Sequence, residues 1–260
     1  MPKLFVNYSP ALAELAAAGE TLFDGIEVGP WFSLEKIKGL KKEYEHWPFQ
    51  FHSSGYLSGY AGFSKKLKKL KTYHECTHSR WVTLHIELLP YYIFAAGWHL
   101  GVYLPPPNAE KRKKAFLRRL AEVKKNMDIP ILLENMAALP GSKYAFAASP
   151  ETISEMLQKS GCGLLLDLPH ARVAAAYQGL EVKDYLQRLP LDKVKQIHVS
   201  GPELKNGILW DRHEIMQAED YALLEWALKH SSPEILTLEY IREETALREQ
   251  LSRLRQLISD

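Results

Sequence analysis

The chain has little cysteine and no long apolar run, and each shortage excludes a class of protein. Only two of its 260 residues are cysteines, Cys76 and Cys162, and they do not form a CxxC pair. A disulfide framework or a thiolate zinc site is therefore not expected. No apolar run approaches the ~18 residues of a transmembrane helix, and the N-terminal residues lack the features of a signal peptide. We therefore expect a cytoplasmic protein without a membrane partner.

The chain also lacks an excess of charge of either sign. It has 33 basic and 31 acidic residues, a formal net charge of +2, which argues against a protein that coats nucleic acid. Two lysine-rich runs, SKKLKKLK (64–71) and EKRKKAFLRR (110–119), carry leucine and phenylalanine at helical spacing. They predict amphipathic helices with a basic, solvated face rather than a phosphate-binding surface.

Short β-branched or apolar runs alternate with amphipathic segments along the whole chain. The strand candidates are KLFVNY, DGIEVG, PFQFHS, RWVTLHIE, IPILLENM, GLLLDL, VKQIHVSG and EILTLEY. Repeated strand–helix units build parallel sheets, and eight of them predict a closed (β/α)8 barrel. Because no linker or repeat interrupts the pattern, we expect a single barrel domain over residues 1–260.

Local signals mark helix ends and one irregular segment. The pairs Ser9–Pro10 and Ser149–Pro150 suit helix starts, and Gly19 and Gly161 suit left-handed helix ends. Residues 88–108, LLPYYIFAAGWHLGVYLPPPN, are too long and too aromatic for an ordinary loop after the fourth strand. They could form a lid, a substrate-stacking or partner surface, or a short helix that plugs the barrel.

Metal-binding side chains follow the carboxyl ends of six of the eight predicted strands. In a barrel these ends open into one mouth, where barrel enzymes hold their active sites. The candidates are His52, His85, Glu134, Asp167, His170, His198, Asp211, His213 and Glu239. Carboxylates held close together in a partly dry mouth repel one another, and bound cations remove that penalty.

The composition of this set predicts the kind of metal. Five imidazoles and four carboxylates without a thiolate suit iron, manganese or zinc better than magnesium or calcium. At three or four protein ligands per ion, nine ligands predict two or three divalent ions, with one carboxylate bridging. All nine residues are therefore predicted to be metal ligands and catalytic residues.

Other polar residues near the mouth are expected to support these ligands. Glu27 ends the second strand and is expected to make a supporting hydrogen bond, while Glu87 shares a strand face with His85. Asn135 and Arg212 are expected to be supporting groups. Each could contact the substrate; otherwise Asn135 would make a hydrogen bond that orients a ligand, and Arg212 would form a surface ion pair. His99 is a candidate substrate contact. The remaining histidines are expected on or beside helices: His46, His74, His78 and His230.

The segments that carry these residues resemble xylose-isomerase-like barrels over nearly the whole chain. HSSGYLSG, LLEN, DLPHARVAAA and IHVSG are similar, in wording and order, to the multinuclear non-heme iron-dependent oxidases. Those enzymes modify cysteines in ribosomally made peptides, together with a partner protein that presents the substrate. DLPH and DRH also match the D-x-x-H and D-R-H motifs of endonuclease IV, a trinuclear zinc enzyme that cuts DNA at abasic sites.

Both resemblances imply the same division of the ligands. One metal would be held by His52, His85 and Glu134; a second by Glu134, Asp167, His198 and Glu239; a third by His170, Asp211 and His213. The first resemblance implies an iron oxidoreductase acting on a thiol- or cysteine-containing peptide, and the second a zinc phosphodiesterase. A sugar isomerase or epimerase is a further alternative, and a barrel that only binds a peptide or a partner is the least favoured.

Overall fold

The computed structural model describes residues 1–53, 63–88, 108–137 and 145–259. The strands are β1 Lys3–Asn7, β2 Gly25–Val28, β3 Phe49–Phe51, β4 Val82–His85, β5 Ile131–Glu134, β6 Gly163–Asp167, β7 Val194–Val199, β8 Gly201–Lys205, β9 Ile208–Glu214 and β10 Ile235–Leu238. The helices are α1 Pro10–Ala17, α2 Leu34–Glu43, α3 Phe63–Thr77, α4 Ala109–Asn126, α5 Pro150–Ser160, α6 Leu168–Gln178, α7 Val182–Gln187, α8 Ala218–His230 and α9 Glu244–Ser259. The aromatic segment, with His99, and most of HSSGYLSG lie outside the described residues.

Eight parallel strands form the sheet that the sequence predicted. Their order is β3–β2–β1–β10–β7–β6–β5–β4, with each of the eight predicted strands present. Helices on the outside of the sheet separate successive strands. The (β/α)8 barrel prediction is therefore confirmed.

Side chains join the two outer strands of this sheet, β3 and β4. The Phe51 amide donates to Ser79 Oγ at 2.7 Å, and the Ser53 amide donates to Thr83 Oγ1 at 3.0 Å. Gln50 Nε2 donates to the Trp81 carbonyl at 3.0 Å. Although β3 and β4 are not ladder neighbours in the described sheet, these bonds draw the ends of β3 and β4 together.

The strands divide the interior into layers. Buried apolar side chains on their outward faces pack against the helices. Inside the barrel, the lower layer is apolar and consists of Phe5, Trp81, Leu132, Leu165 and Ile235. Other inward-facing positions are polar and buried, as at Gln50, Thr83, Gln196 and Thr237. Gln196 lies in register with Leu165 and Ile235 of the apolar layer, so buried polar side chains begin at the level of this layer and continue toward the mouth.

The predicted helix signals are confirmed. Ser9 Oγ accepts from the Leu12 amide, Ser149 Oγ accepts from the Thr152 amide, and Gly161 ends α5 with φ of 65°. The lysine-rich runs lie on α3 and α4, which bury Leu70, Phe116 and Leu120 and expose most of their lysines. Among the described helices, every one is too short or too polar to cross a bilayer.

An antiparallel hairpin, β8 and β9, follows β7 and was missing from the sequence prediction, which placed Asp211 and His213 simply beyond the seventh strand. Asn206 and Gly207 connect its strands with φ values of 54° and 75°. Two successive positive φ values are typical of the type I′ turn that matches the twist of a hairpin. The two predicted ligands therefore lie on a strand of their own.

Candidate metal centre

The structure brings all nine predicted ligands into one linked cluster, here called the centre. Neighbouring ligand atoms in an unbroken chain through the nine residues are at most 3.9 Å apart. The chain runs in the order His52, His85, Glu134, His170, Asp211, His213, Glu239, His198 and Asp167. The predicted convergence at the mouth is thus seen in the geometry, although the ligand roles themselves stay a prediction.

The first group contains His52, His85 and Glu134. Glu134 Oε2 lies 2.9 Å from His85 Nε2 and 3.5 Å from His52 Nε2, and the two ring nitrogens are 3.3 Å apart. His52 Nδ1 lies 3.1 Å from the Thr83 hydroxyl, which can accept its proton and leave Nε2 free as a ligand. The Nε2 atoms and one carboxylate oxygen thus point at a common position.

The second group contains Asp167, His198 and Glu239, together with Glu134. His198 Nδ1 lies 3.3 Å from Glu239 Oε1 and 3.9 Å from Asp167 Oδ2. Ligand atoms of Glu134, Asp167 and His198 all lie within 4.8 Å of one another, as do those of the first group. Glu134 belongs to both sets, which is the position of a bridging carboxylate.

The third group, His170, Asp211 and His213, is arranged around one oxygen. Asp211 Oδ2 lies 3.2 Å from His170 Nε2 and 3.4 Å from His213 Nε2. The side chain of His213 is 35% exposed, whereas that of His198 is fully buried. The third group is therefore the accessible side of the centre.

The junction of β6 and α6 explains the D-x-x-H spacing. Asp167 ends the strand and caps the helix, because its Oδ1 accepts from the His170 amide at 2.6 Å. His170 Nδ1 lies 2.9 Å from the Asn135 carbonyl and can donate to it, which leaves Nε2 facing Asp211. The Asn135 side chain exchanges two hydrogen bonds with the Asp167 backbone, both 2.8 Å long. Asn135 thus has the orienting role proposed for it.

A bulge in the hairpin explains the spacing of Asp211 and His213. The β8–β9 register passes from Gly201 opposite Glu214 to Pro202 opposite Asp211, so Arg212 and His213 are extra residues. His213 adopts φ of 51°, a left-handed conformation that costs a non-glycine residue about 1–3 kcal/mol. Such bulges re-aim side chains near active sites, and here both ligands face the mouth.

Arg212, between these two ligands, points away from the centre. Its side chain is 58% exposed, and its Nε lies 3.7 Å from Glu203. Of the two roles considered for Arg212, the surface ion pair is the one that the structure supports.

Orphaned polar atoms test whether the centre suits cations. Among the described residues, nine buried side-chain atoms have no hydrogen-bond partner, and three of them belong to predicted ligands: Glu134 Oε2, His198 Nδ1 and Asp211 Oδ1. A fourth, Glu27 Oε1, lies 3.2 Å from His198 Nε2. Buried polar atoms in proteins nearly always have a hydrogen-bond partner. The three ligand atoms together represent all three groups. A borderline divalent cation matches this mixture of nitrogen and oxygen donors, so the residues present fit metal ions.

The carboxylates hold protons on four of the five histidines of the centre, whereas burial lowers the pKa of the fifth, His52. Burial disfavours charge on these rings, but Glu134 outweighs it and raises the pKa of His85 to about 9, and Glu239 does the same for His213, whose pKa is about 9. Burial raises the pKa of Asp167 to about 7, with Glu239 and Glu134 adding to the effect. Without cations the centre must therefore share protons that bound metals would replace.

Two buried residues near the centre were missed by the sequence reasoning. Gln196 Nε2 lies 2.6 Å from Glu27 Oε2, and Trp81 Nε1 donates to Gln196 Oε1 at 2.7 Å. Gln196 precedes His198 by two residues on a strand, so the pleat would have placed both side chains on one face. Glu27 makes the supporting hydrogen bond expected of it. His46, His78 and His230 are exposed and His74 is half-buried, as predicted.

The sequence also matches a known family. Residues 21–258 match the family model described as RiPP precursor modification enzyme MbnB/TglH/ChrH. The chain belongs to this family. Its members are enzymes that modify ribosomally made peptide precursors, which confirms the resemblance to peptide-modifying barrels found in the sequence.

Two relatives of this MbnB/TglH/ChrH member are UPF0276 proteins. One from Vibrio parahaemolyticus is 31% identical over 162 residues, which cover 55% of this chain and 56% of the relative. One from Caulobacter vibrioides is 28% identical over 201 residues, or 75% of this chain and 68% of the relative. The first match spans little more than half the length of the relative.

Solved structures share the barrel. Endonuclease IV from Thermus thermophilus superposes with a TM-score of 0.61 and 19% identity, over 99% of both chains. A xylose isomerase-like TIM barrel protein from Mycobacterium smegmatis, solved in complex with magnesium, gives a TM-score of 0.64 and 13% identity over 100% of this chain and 97% of its own. At such identities the likeness shows the fold alone, which is the barrel that the sequence predicted.

Proposed function

We propose that the chain is an iron-dependent oxidase that modifies a cysteine-containing peptide presented by a partner protein. The observation that carries the proposal is the convergence of nine nitrogen and oxygen ligands on one centre, in a member of a family that modifies peptide precursors. The nine ligands exceed the capacity of one ion, and the grouping supports two or three.

Each ion would be held by one of the groups described above. The first would be held by His52, His85 and Glu134; the second by Glu134, Asp167, His198 and Glu239; the third by His170, Asp211 and His213. When bound, iron supplies redox chemistry with O2 and lowers the pKa of a ligated substrate thiol.

The residues of the chain itself orient the ligands and control access. Thr83 and Asn135 engage the Nδ1 atoms of His52 and His170, so both rings direct Nε2 into the centre. The ligands of the first two groups are largely buried, which excludes bulk water from them. The peptide would therefore approach from the side of the hairpin, where His213 and Asp211 are partly exposed.

Mass spectrometry of a peptide assay tests this proposal. Protein loaded anaerobically with iron(II) is mixed with synthetic peptides that each contain one cysteine, then exposed to O2 and a reductant. An O2-dependent change in peptide mass is expected, and serine in place of the cysteine should abolish it. Unchanged peptides across the panel, with the iron centre fully loaded and the partner protein present, would contradict the proposal.

A zinc phosphodiesterase of the endonuclease IV type is the second candidate. It is favoured by the third group, since the D-x-x-H and D-R-H motifs lie together around Asp211. Zinc held by the same three groups would supply an activated water and neutralise the charge of a phosphodiester. Cleavage of an abasic-site DNA duplex by the zinc-loaded protein would support this candidate, and an intact duplex would leave the oxidase.

A further inference from the structure

Below the centre, buried polar side chains connect Trp81 to His198. Trp81 Nε1 lies 2.7 Å from Gln196 Oε1, and Gln196 Nε2 lies 2.6 Å from Glu27 Oε2. The other Glu27 oxygen, Oε1, lies 3.2 Å from His198 Nε2. These four side chains are at most 4% exposed, so each polar atom depends on its neighbours in the protein.

The Trp81 indole fixes which end of the Gln196 amide faces which neighbour. An indole N–H can only donate, so the atom facing Trp81 must be the oxygen of the Gln196 amide. The nitrogen of that amide, with two hydrogens, then faces the opposite way. It has two oxygen acceptors there, Glu27 Oε2 at 2.6 Å and Thr237 Oγ1 at 3.0 Å. The Thr237 hydroxyl in turn donates to Glu27 Oε2 at 3.3 Å.

His198 can adopt either of two neutral tautomers here, and each leaves a different polar atom without a hydrogen-bond partner. Gln196 Nε2 also lies 3.0 Å from His198 Nε2, but both of its hydrogens already have oxygen acceptors. Glu27 Oε1 is a buried carboxylate oxygen without a hydrogen-bond partner among the described residues, which is costly. If Gln196 donated to His198, this oxygen would stay without a donor. A proton on His198 Nε2, 3.2 Å away, would supply one. It leaves the lone pair of Nδ1 facing Glu239 and Asp167.

We propose that Trp81, Gln196, Thr237 and Glu27 are positioning residues that hold His198 as the Nε2–H tautomer and make Nδ1 the metal ligand. The inference rests on the metal centre of the proposed function. It also assigns Glu27, whose carboxylate lies with His52 and His198 in a cluster of ligand-type atoms within 4.8 Å. Glu27 holds a ligand and is not a ligand itself. Partners of this kind commonly fix the ring orientation and proton of metal-bound histidines.

The same isosteric substitution, threonine to valine, tests the role of Thr237 when it is made there and at Thr77 as a control. Thr237→Val removes the acceptor of the second Gln196 hydrogen and frees it to approach His198 Nε2. Thr77→Val removes an equally buried hydroxyl, one that bonds the Tyr73 carbonyl at the end of α3. Zinc affinity is measured on chelator-stripped protein by competition with a chromophoric chelator. We expect about fivefold weaker binding for Thr237→Val, the worth of one neutral hydrogen bond, and unchanged binding for Thr77→Val.

Glu27→Gln separates positioning from ligation. As a positioning residue, Glu27 should give a variant that binds zinc about 10–100-fold more weakly with an unchanged number of ions per chain. Loss of a whole ion would make Glu27 a ligand and overturn the inference, as would unchanged affinity in both Glu27→Gln and Thr237→Val. Should Glu27→Gln fail to fold, the isosteric threonine pair still decides the outcome.

Nuclear magnetic resonance of ¹⁵N-histidine in the zinc-loaded protein reads the tautomer directly. We expect His198 to show a protonated Nε2 and a zinc-bound Nδ1. Zinc on Nε2 would overturn the positioning role and leave the metal centre intact. A wild-type chain that binds no zinc or iron would instead contradict the centre itself, so the two failures are distinguishable.

Discussion

Glu134 is the residue that touches most of the centre. Its Oε2 faces His52 and His85 of the first group, its Oε1 lies 3.3 Å from His170 Nδ1 of the third, and its ligand atoms group with Asp167 and His198 of the second. The residue pattern alone predicted Glu134 as one of nine ligands, and only the resemblance to known families implied that it serves two metals. Its central place depends on contacts with residues from β3, β4, β6 and β7.

Replacement of Glu134 should therefore remove more than one ion. Glu134→Gln keeps the shape of the side chain but loses the charge that bridges two groups, so metal content should fall by more than one ion per chain. Glu155→Gln changes the same residue type in a surface ion-pair cluster with Lys113 and Lys159, and its metal content should equal that of the wild type. Loss of one ion or none in Glu134→Gln would contradict the bridging role.

The histidine protons predict how stability depends on pH. The pKa values of His85 and His213 are raised to about 9. Because these values lie above the ordinary 6.5, the stability that both contribute is full below pH 6.5 and is lost as pH rises through 9. Chelator-treated protein should melt at a lower temperature at pH 9.5 than at pH 6.5. His213→Gln should flatten this decline, and a melting temperature that rises over the same range would refute the account.

At the scale of elements, the hairpin shows what the sequence could and could not predict. Asn206–Gly207 between apolar runs is a strong signal for a hairpin, and it could have predicted β8 and β9. The bulge at Arg212 and His213 could not be predicted, because it results from the pairing register of the two strands. The contact of Trp81 with Gln196 was equally hidden, since 115 residues separate them.

The base of the hairpin gives a test of its role. A Cβ on Gly201 would overlap the carbonyl oxygen of Ile215, whereas a Cβ on Gly39 would meet no heavy atom within 4 Å. Gly201→Ala should displace the base of β9 and weaken binding at the third group, while the barrel still folds. Gly39→Ala should bind metal like the wild type and be more stable by about 1 kcal/mol. Full metal content in Gly201→Ala would show that the hairpin base tolerates the shift.

At the scale of the whole molecule, the alternation of eight strands with helices predicted the barrel, and the mouth followed from it. Residues at strand ends could be predicted to meet because all parallel strands of a barrel point the same way. The side chains that join β3 to β4, such as Ser79 and Thr83, could not be predicted, since apolar periodicity does not reveal which polar groups meet.

Because side chains join β3 to β4, the stability of the barrel should depend on the Ser79 hydroxyl. Ser79→Ala would leave the buried Phe51 amide without its acceptor, which costs about 1–3 kcal/mol. Urea unfolding should show this loss of stability, while Ser154→Ala, which removes a hydrogen bond at an exposed position, should change stability by less than about 0.5 kcal/mol. Equal effects of the two substitutions would mean that the β3–β4 bonds do not stabilise the barrel.

The number of metal ions per chain decides whether the centre is multinuclear. Protein purified without a metal-affinity tag is reconstituted anaerobically with iron(II), freed of loosely bound metal and analysed by inductively coupled plasma mass spectrometry. The account predicts two or three irons per chain. Fewer than two ions of any metal after reconstitution would contradict a multinuclear centre, and near three zincs in the protein as isolated would favour the phosphodiesterase.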